Sequence, residues 1–215
     1  MGVQERKARE FKQREDDILE TAYNLFLEQN PAVVTMETIA KHTEIGRGTL
    51  YLHFKSKDDI LGRLILDRYE KLQTKLESID RTQVPLDQLR AATRTYLDHC
   101  LADPGAYRVE KRCESGINSE NLNPELRGML GELRKKRVTL LEEIFRKAID
   151  KDQLENIPPV LQMSVGWGML KGAVDVVADG RFQDAIQDIE EYRELVLRVL
   201  LKGFLTPGGK EPEKD

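Results

Sequence analysis

Apolar residues recur three and four positions apart through most of the chain, and no stretch alternates apolar with polar residues long enough to demand a sheet. The pattern predicts an all-α protein. From about Asp16, the spacing of Ile18, Ala22, Leu25 and Phe26 gives an amphipathic first helix that ends near Asn30 and Pro31. Met36, Ile39 and Ala40 mark a short second helix with Thr35 as its N-cap. Thr43 to Gly46 interrupts the pattern, and Leu50 and Phe54 then form the inward side of a third helix that Gly46 can cap. Ser56 and Asp59 resemble a capping box at the start of a fourth helix, in which Ile60, Leu61, Leu64, Ile65, Leu72 and Leu76 keep the spacing to about Ile79. Such a helix is about 36 Å long, enough to link a head to a separate body.

Pro85 opens the next segment, with Leu86, Leu89, Ala92, Tyr96 and Leu97 on its apolar side, and Asp103-Pro104-Gly105 breaks it. A shorter segment runs from Ala106 toward Glu114, followed by a loop at Ser115 to Pro124. Glu125 to Ile149 reads as a long helix whose outward basic patch, Arg134 to Arg137, is balanced by Glu132, Glu142 and Glu143 as a solvated face. Beyond Ile157-Pro158-Pro159, helices are predicted at Val160 to Ala178 and about Asp184 to Leu205. The first of these is apolar on nearly all sides, with Gly168 and Gly172 four apart so that another helix can approach. The second is expected to present Ile186, Ile189, Val196, Val199, Leu200 and Phe204 on one face. Together they carry more apolar surface than one small body can cover, which implies a partner. Residues 206–215, rich in Gly, Pro, Lys and Glu, read as a disordered tail.

Charge singles out one stretch of this pattern. Between Ile45 and Lys57 stand three cations, Arg47, Lys55 and Lys57, and no carboxylate, in a chain whose formal net charge is −4. Any affinity for nucleic acid must therefore come from a local face. The third helix supplies one, with Arg47, Thr49, Tyr51 and His53 left to point outward and Gly48 allowing close approach to a phosphate or base edge, at about 1 kcal/mol in helix propensity.

The run from about Ile18 to Ile65 resembles the N-terminal domain of the TetR family of transcriptional repressors. Phe26, Thr35, Ile39-Ala40, the stretch Gly46-Arg47-Gly48-Thr49-Leu50-Tyr51-Leu52-His53-Phe54, and Ser56-Lys57 match the family's pattern without a gap. Several positions depart from it. Asn30-Pro31 replaces a common Gly-aromatic pair, although Asn tolerates the left-handed conformation that a helix end needs. Glu44 stands for a frequent turn glycine and Gly46 for a frequent capping serine, which predicts a more strained turn and a weaker phosphate contact. Leu52 occupies a position that is often polar; core packing is the expected role, and contact with a thymine methyl is the other reading.

The resemblance implies a three-helix helix-turn-helix domain joined by a long helix to a helical ligand-binding and dimerisation domain. The boundaries it suggests are a charged arm at 1–14, the DNA-binding domain at 15–55, the effector and dimerisation domain at 56–205, and the tail. It further implies a homodimer on an inverted-repeat operator of double-stranded DNA. Arg47 is expected to contact a base with Thr49 beside it and Gly48 beneath, while Thr35, Tyr51, His53 and Lys57 hold phosphates. For Tyr51 and His53, packing against the fourth helix is the competing role. The last two helices form the dimer interface in that family, here with Gly168, Gly172, Val196, Val199 and Leu200. A small, largely apolar effector is expected in the body, with Tyr96, His99, Cys100, Tyr107, Arg108, Arg112 and Trp167 as candidate contacts and Cys113 near them. Arg108 and Arg112 could meet an anionic group, pair with Glu110 or Glu114, or face solvent.

Other classes fit less well. There is no phosphate-binding glycine loop, nucleophile elbow or HExxH motif, so an enzyme or a helical small-molecule carrier is the alternative, not the expectation. A purely architectural DNA-binding protein would not need the long apolar body after Pro85. His99, Cys100 and Cys113 fit no closed zinc pattern, and neither a metal nor a cofactor is expected. Two cysteines and a charged N-terminus suggest a reducing cytoplasm, and Lys171 and Asp175 argue against a membrane span at Val160 to Ala178. The charged arm, with Arg6, Lys7, Arg9, Lys12 and Arg14, reads either as a solvated helix start or as an arm that touches DNA.

Overall fold

The computed structural model of the protein describes residues 2–117, 120–182 and 184–206. Among them the chain forms α1 (Val3–Glu28), α2 (Met36–His42), α3 (Arg47–His53), α4 (Lys57–Glu77), α5 (Pro85–Leu101), α6 (Pro104–Gly116), α7 (Pro124–Asp150), α8 (Pro159–Ala178) and α9 (Ile189–Lys202). No strand forms among these residues; Leu154 and Leu205 make a single isolated bridge. The all-helical expectation holds. The expected tail lies outside the described residues from 207 onward.

The main difference in helix boundaries is at the start. α1 begins at Val3, well before Asp16, because spaced charges support it where apolar residues do not. Arg6 pairs with Glu10, Lys12 with Asp16 and Arg14 with Asp17, and Gln13 donates to Asp17 at 2.9 Å. Each such exposed pair contributes only about 0.2–0.5 kcal/mol, but together they extend a helix already nucleated by its buried half.

The chain divides into two compact units, residues 1–70 with 105–132, and residues 71–104 with 133–215. In the first, Ile18, Ala22 and Phe26 of α1 pack with Ile39 of α2, Leu50 of α3, Ile60 and Leu61 of α4, and Val109 and Cys113 of α6. The helix-turn-helix core is thus closed by α6, distant in sequence. Asp59 is buried and its carboxylate accepts from the Asn123 N–H at 2.7 Å, while the Ser56 hydroxyl oxygen accepts from the Asp59 N–H at 3.0 Å. Only the serine half of the expected capping box exists, since Asp59 anchors the approach to α7 instead. Arg68 and Tyr69 of α4 donate to Glu110 and Glu114 of α6.

In the second unit, Leu86 and Leu89 of α5 meet Ile144, Phe145 and Ala148 of α7, Leu197, Leu200 and Leu201 of α9, and Phe204 just after it. Phe145 and Phe204 pack edge to face, 5.9 Å apart. Arg94 of α5 forms ion pairs with Glu190 and Glu194 of α9, and Arg193 returns to Asp98 at 3.0 Å. The apolar face expected for α9 is corrected here. Leu197, Leu200, Leu201 and Phe204 point inward, whereas Leu195 and Val199 are exposed. Residues 195–201 are apolar at six of seven positions, leaving the stripe ambiguous until α5 and α7 choose a side.

Candidate nucleic-acid interface

Thr35 caps α2 as expected, its hydroxyl oxygen accepting from the Thr38 N–H at 3.1 Å. The turn between α2 and α3 runs through Glu44, whose φ of 57° is left-handed. That region costs a residue with a Cβ about 1–2 kcal/mol, so the strain expected from the missing glycine is present. Gly46 then caps α3 through its backbone, the Gly46 carbonyl accepting from the Leu50 N–H at 3.1 Å.

α3 is short, and Leu50 and Phe54 anchor it in the core. Its remaining surface carries Arg47, Gly48, Thr49, Tyr51 and Leu52, all exposed. Arg47 reaches back to an ion pair with Glu37 of α2. Both side chains are well over half exposed, so solvent screens the pair and little is lost when Arg47 turns to another acceptor. Tyr51 is 45% exposed.

Three expectations are corrected at this site. The His53 side chain is only 5% exposed, because the Phe11 ring lies over it with centroids 4.0 Å apart. Its Nδ1 is 3.9 Å from Glu15, beyond hydrogen-bond reach, so the imidazole packs on α1 and is not presented to a phosphate. Burial chiefly, with Arg14 adding to it and Glu15 opposing, holds its pKa below the usual value. Lys57 donates to the carbonyls of Pro31 at 2.6 Å and Val34 at 2.9 Å, clamping the link between α1 and α2. Leu52, expected to pack, is 69% exposed. The Phe11 contact had no signal in periodicity, although the ion-pair spacing of residues 6–17 marks the helix that delivers it.

The candidate effector residues divide between the units. Tyr107, Arg108 and Arg112 belong to the first; Tyr96, His99, Cys100 and Trp167 belong to the second. Arg112 is corrected outright: its guanidinium donates to the carbonyls of Phe26 at 2.7 Å and Leu27 at 2.8 Å, satisfying the end of α1. Tyr96 and Trp167 are neighbours, with ring centroids 5.2 Å apart. Tyr96, His99 and Cys100 are buried, and Trp167 is 44% exposed. A polar cleft of about 330 Å³, lined among others by Arg81, Gln88, Lys147 and Lys151, contains none of the candidates. Cys113 is fully buried, and burial with Glu110 and Glu114 pushes its thiol up to about 12, which opposes thiolate chemistry.

Of the candidate interface residues, Gly168, Gly172 and Val199 are exposed and Val196 is half-buried. Leu200 is corrected, since it lies in its own chain's core beside Gly166. A Cβ at Gly168 or Gly172 would meet nothing within 4 Å. Val160, Leu161, Val165 and Met169 of α8 extend the same exposed apolar surface. No helix among the described residues is long and apolar enough to cross a membrane, and no group of His, Cys, Asp and Glu among them could hold a metal ion.

A capped α2, a four-residue turn and an anchored α3 with an exposed outer face define the helix-turn-helix class of DNA-binding folds. The pattern of the bacterial regulatory proteins of the tetR family matches residues 18–64. Over those residues the chain is similar to that family. It is 31% identical over 75 residues to an HTH-type transcriptional repressor of Mycobacterium tuberculosis, a match that covers 35% of this chain and 38% of that protein. A tetR-family regulatory protein from Rhodococcus RHA1 superposes with a TM-score of 0.70 at 14% identity, covering 90% of this chain and 98% of the other. AibR in complex with isovaleryl coenzyme A and operator DNA superposes with a TM-score of 0.67 at 22% identity, covering 87% and 98%. At these identities the structural likeness speaks for the fold alone.

Proposed function

We propose that this chain is a sequence-specific transcriptional regulator, a homodimeric repressor that a small, largely apolar effector releases from an inverted-repeat operator. One observation carries the reading: Arg47, Thr49 and Tyr51 stand exposed on a short helix whose other face is locked into the core, and none of them is needed to hold the fold. Arg47 contacts a base, most naturally guanine O6 and N7, with Thr49 beside it, while Tyr51 and the capped start of α2 at Thr35 meet phosphates. Residues 15–55 form the DNA-reading segment and residues 56–205 the effector and dimerisation segment. The exposed face of α8 and α9, with Gly168, Gly172, Val196 and Val199, is where a second copy docks.

The match of residues 18–64 to the tetR-family pattern and the two similar proteins named for repression and operator binding support this reading. An effector acts by preferring the arrangement in which the heads of the dimer are wrongly spaced for DNA, and only differential affinity can shift that equilibrium. Tyr96 and Trp167, paired in the second unit, are the best-supported contacts for it.

The test is binding of the purified protein to its own upstream intergenic DNA against scrambled DNA at one fixed salt concentration, with Arg47→Ala in parallel. Salt is fixed because phosphate contacts alone bind any sequence. The expected result is a saturable preference for one inverted repeat, reduced by roughly 1–3 kcal/mol in the variant with its thermal stability unchanged. Equal binding of both DNAs by the wild-type protein rejects the proposal.

A further inference from the structure

Successive residues stand about 100° apart around an α-helix, so the buried positions of α3 fix which of its residues project farthest from the protein. Leu50, His53 and Phe54 point inward. The direction opposite their mean is shared by Gly48 and Leu52, one turn apart. The middle of the exposed face is therefore apolar, a glycine followed by a leucine that is 69% exposed, with Arg47 and Tyr51 on one side and Thr49 on the other. Among the described residues nothing lies within 4 Å of a Cβ built at Gly48, so no described neighbour demands a glycine there. Leu52 likewise contributes no core contact.

A leucine cannot donate or accept a hydrogen bond. In the major groove the one apolar feature that a base edge offers is the C5 methyl of thymine. With no side chain at Gly48, the helix can approach the base edges at that point, and the side chain one turn later reaches deepest. We infer that Leu52 is a specificity-determining residue that reads the methyl group of a thymine at one position of each operator half-site. This rests on the DNA-binding reading above, and it adds apolar readout to the hydrogen bonding expected of Arg47.

The experiment uses the full chain and the operator fragment identified in the binding assay. Each thymidine of the half-sites is replaced in turn by deoxyuridine, which removes the methyl and leaves every hydrogen-bonding group in place. Wild type, Leu52→Ala and Arg47→Ala are titrated at the same salt. The expected result is one symmetric position at which deoxyuridine weakens wild-type binding about fourfold per methyl and leaves Leu52→Ala unaffected. Arg47→Ala is expected to keep its deoxyuridine sensitivity at that position. Because Leu52 is a surface residue, the variant's melting curve serves as the check that it folds. If no position separates wild type from Leu52→Ala, or if Leu52→Ala binds with unchanged affinity and preference, the assignment of Leu52 is overturned while DNA binding stands. A wild-type protein that prefers no sequence overturns both.

Discussion

At the scale of single residues, the turn between α2 and α3 holds the clearest unspent stabilisation. Glu44 occupies left-handed backbone that glycine adopts without steric cost, and its side chain is exposed. Glu44→Gly is expected to raise stability by about 0.5–1 kcal/mol, the relief of strain being partly offset by the extra freedom of glycine in the unfolded chain. A denaturant titration checks this, and an unchanged or lowered midpoint contradicts it. The lone glutamate in a glycine position was visible in the sequence, and so was its strain. The fates of Arg112 and Lys57 were not, because their partners are backbone carbonyls that any residue provides, and a carbonyl leaves no mark in composition or spacing.

The helices themselves were legible wherever burial gives them a stripe. α2, α3, α5 and α8 fall within a residue or so of the expected spans, and their caps and prolines explain the agreement. Where apolar residues are absent, as in residues 3–14, or surround the helix, as in α9, periodicity has nothing to select and tertiary packing decides. The extension of α1 has a measurable effect. By covering His53 with Phe11 it makes protonation of the imidazole harder in the folded state. Folding therefore lowers the proton affinity of His53, and its contribution to stability is complete above the unfolded value of 6.5 and is lost as the pH falls below it toward the folded pKa. Phe11→Ala is expected to move the pKa of His53 back up toward 6.5, read by titrating the ring resonance in NMR. An unmoved titration would mean that burial by Phe11 is not the cause.

For the whole molecule, the face of α8 and α9 decides whether one chain is a complete unit. Exposed Val160, Leu161, Val165 and Val199 beside bare glycines form a surface that a solitary protein rarely leaves open. Val165→Glu is expected to leave the helical content of each chain intact and convert the proposed homodimer to monomer, with operator affinity falling at least tenfold because one half-site is lost. Light scattering on a sizing column reads the first effect and the binding assay the second; a dimeric Val165→Glu would mean that the interface lies elsewhere. The homodimer proposal also has a consequence in the cell. While protomers are scarce, the species able to grip both half-sites grows as the square of protein concentration. A modest rise in synthesis then closes the operator abruptly, and dilution at cell division reopens it with the same steepness.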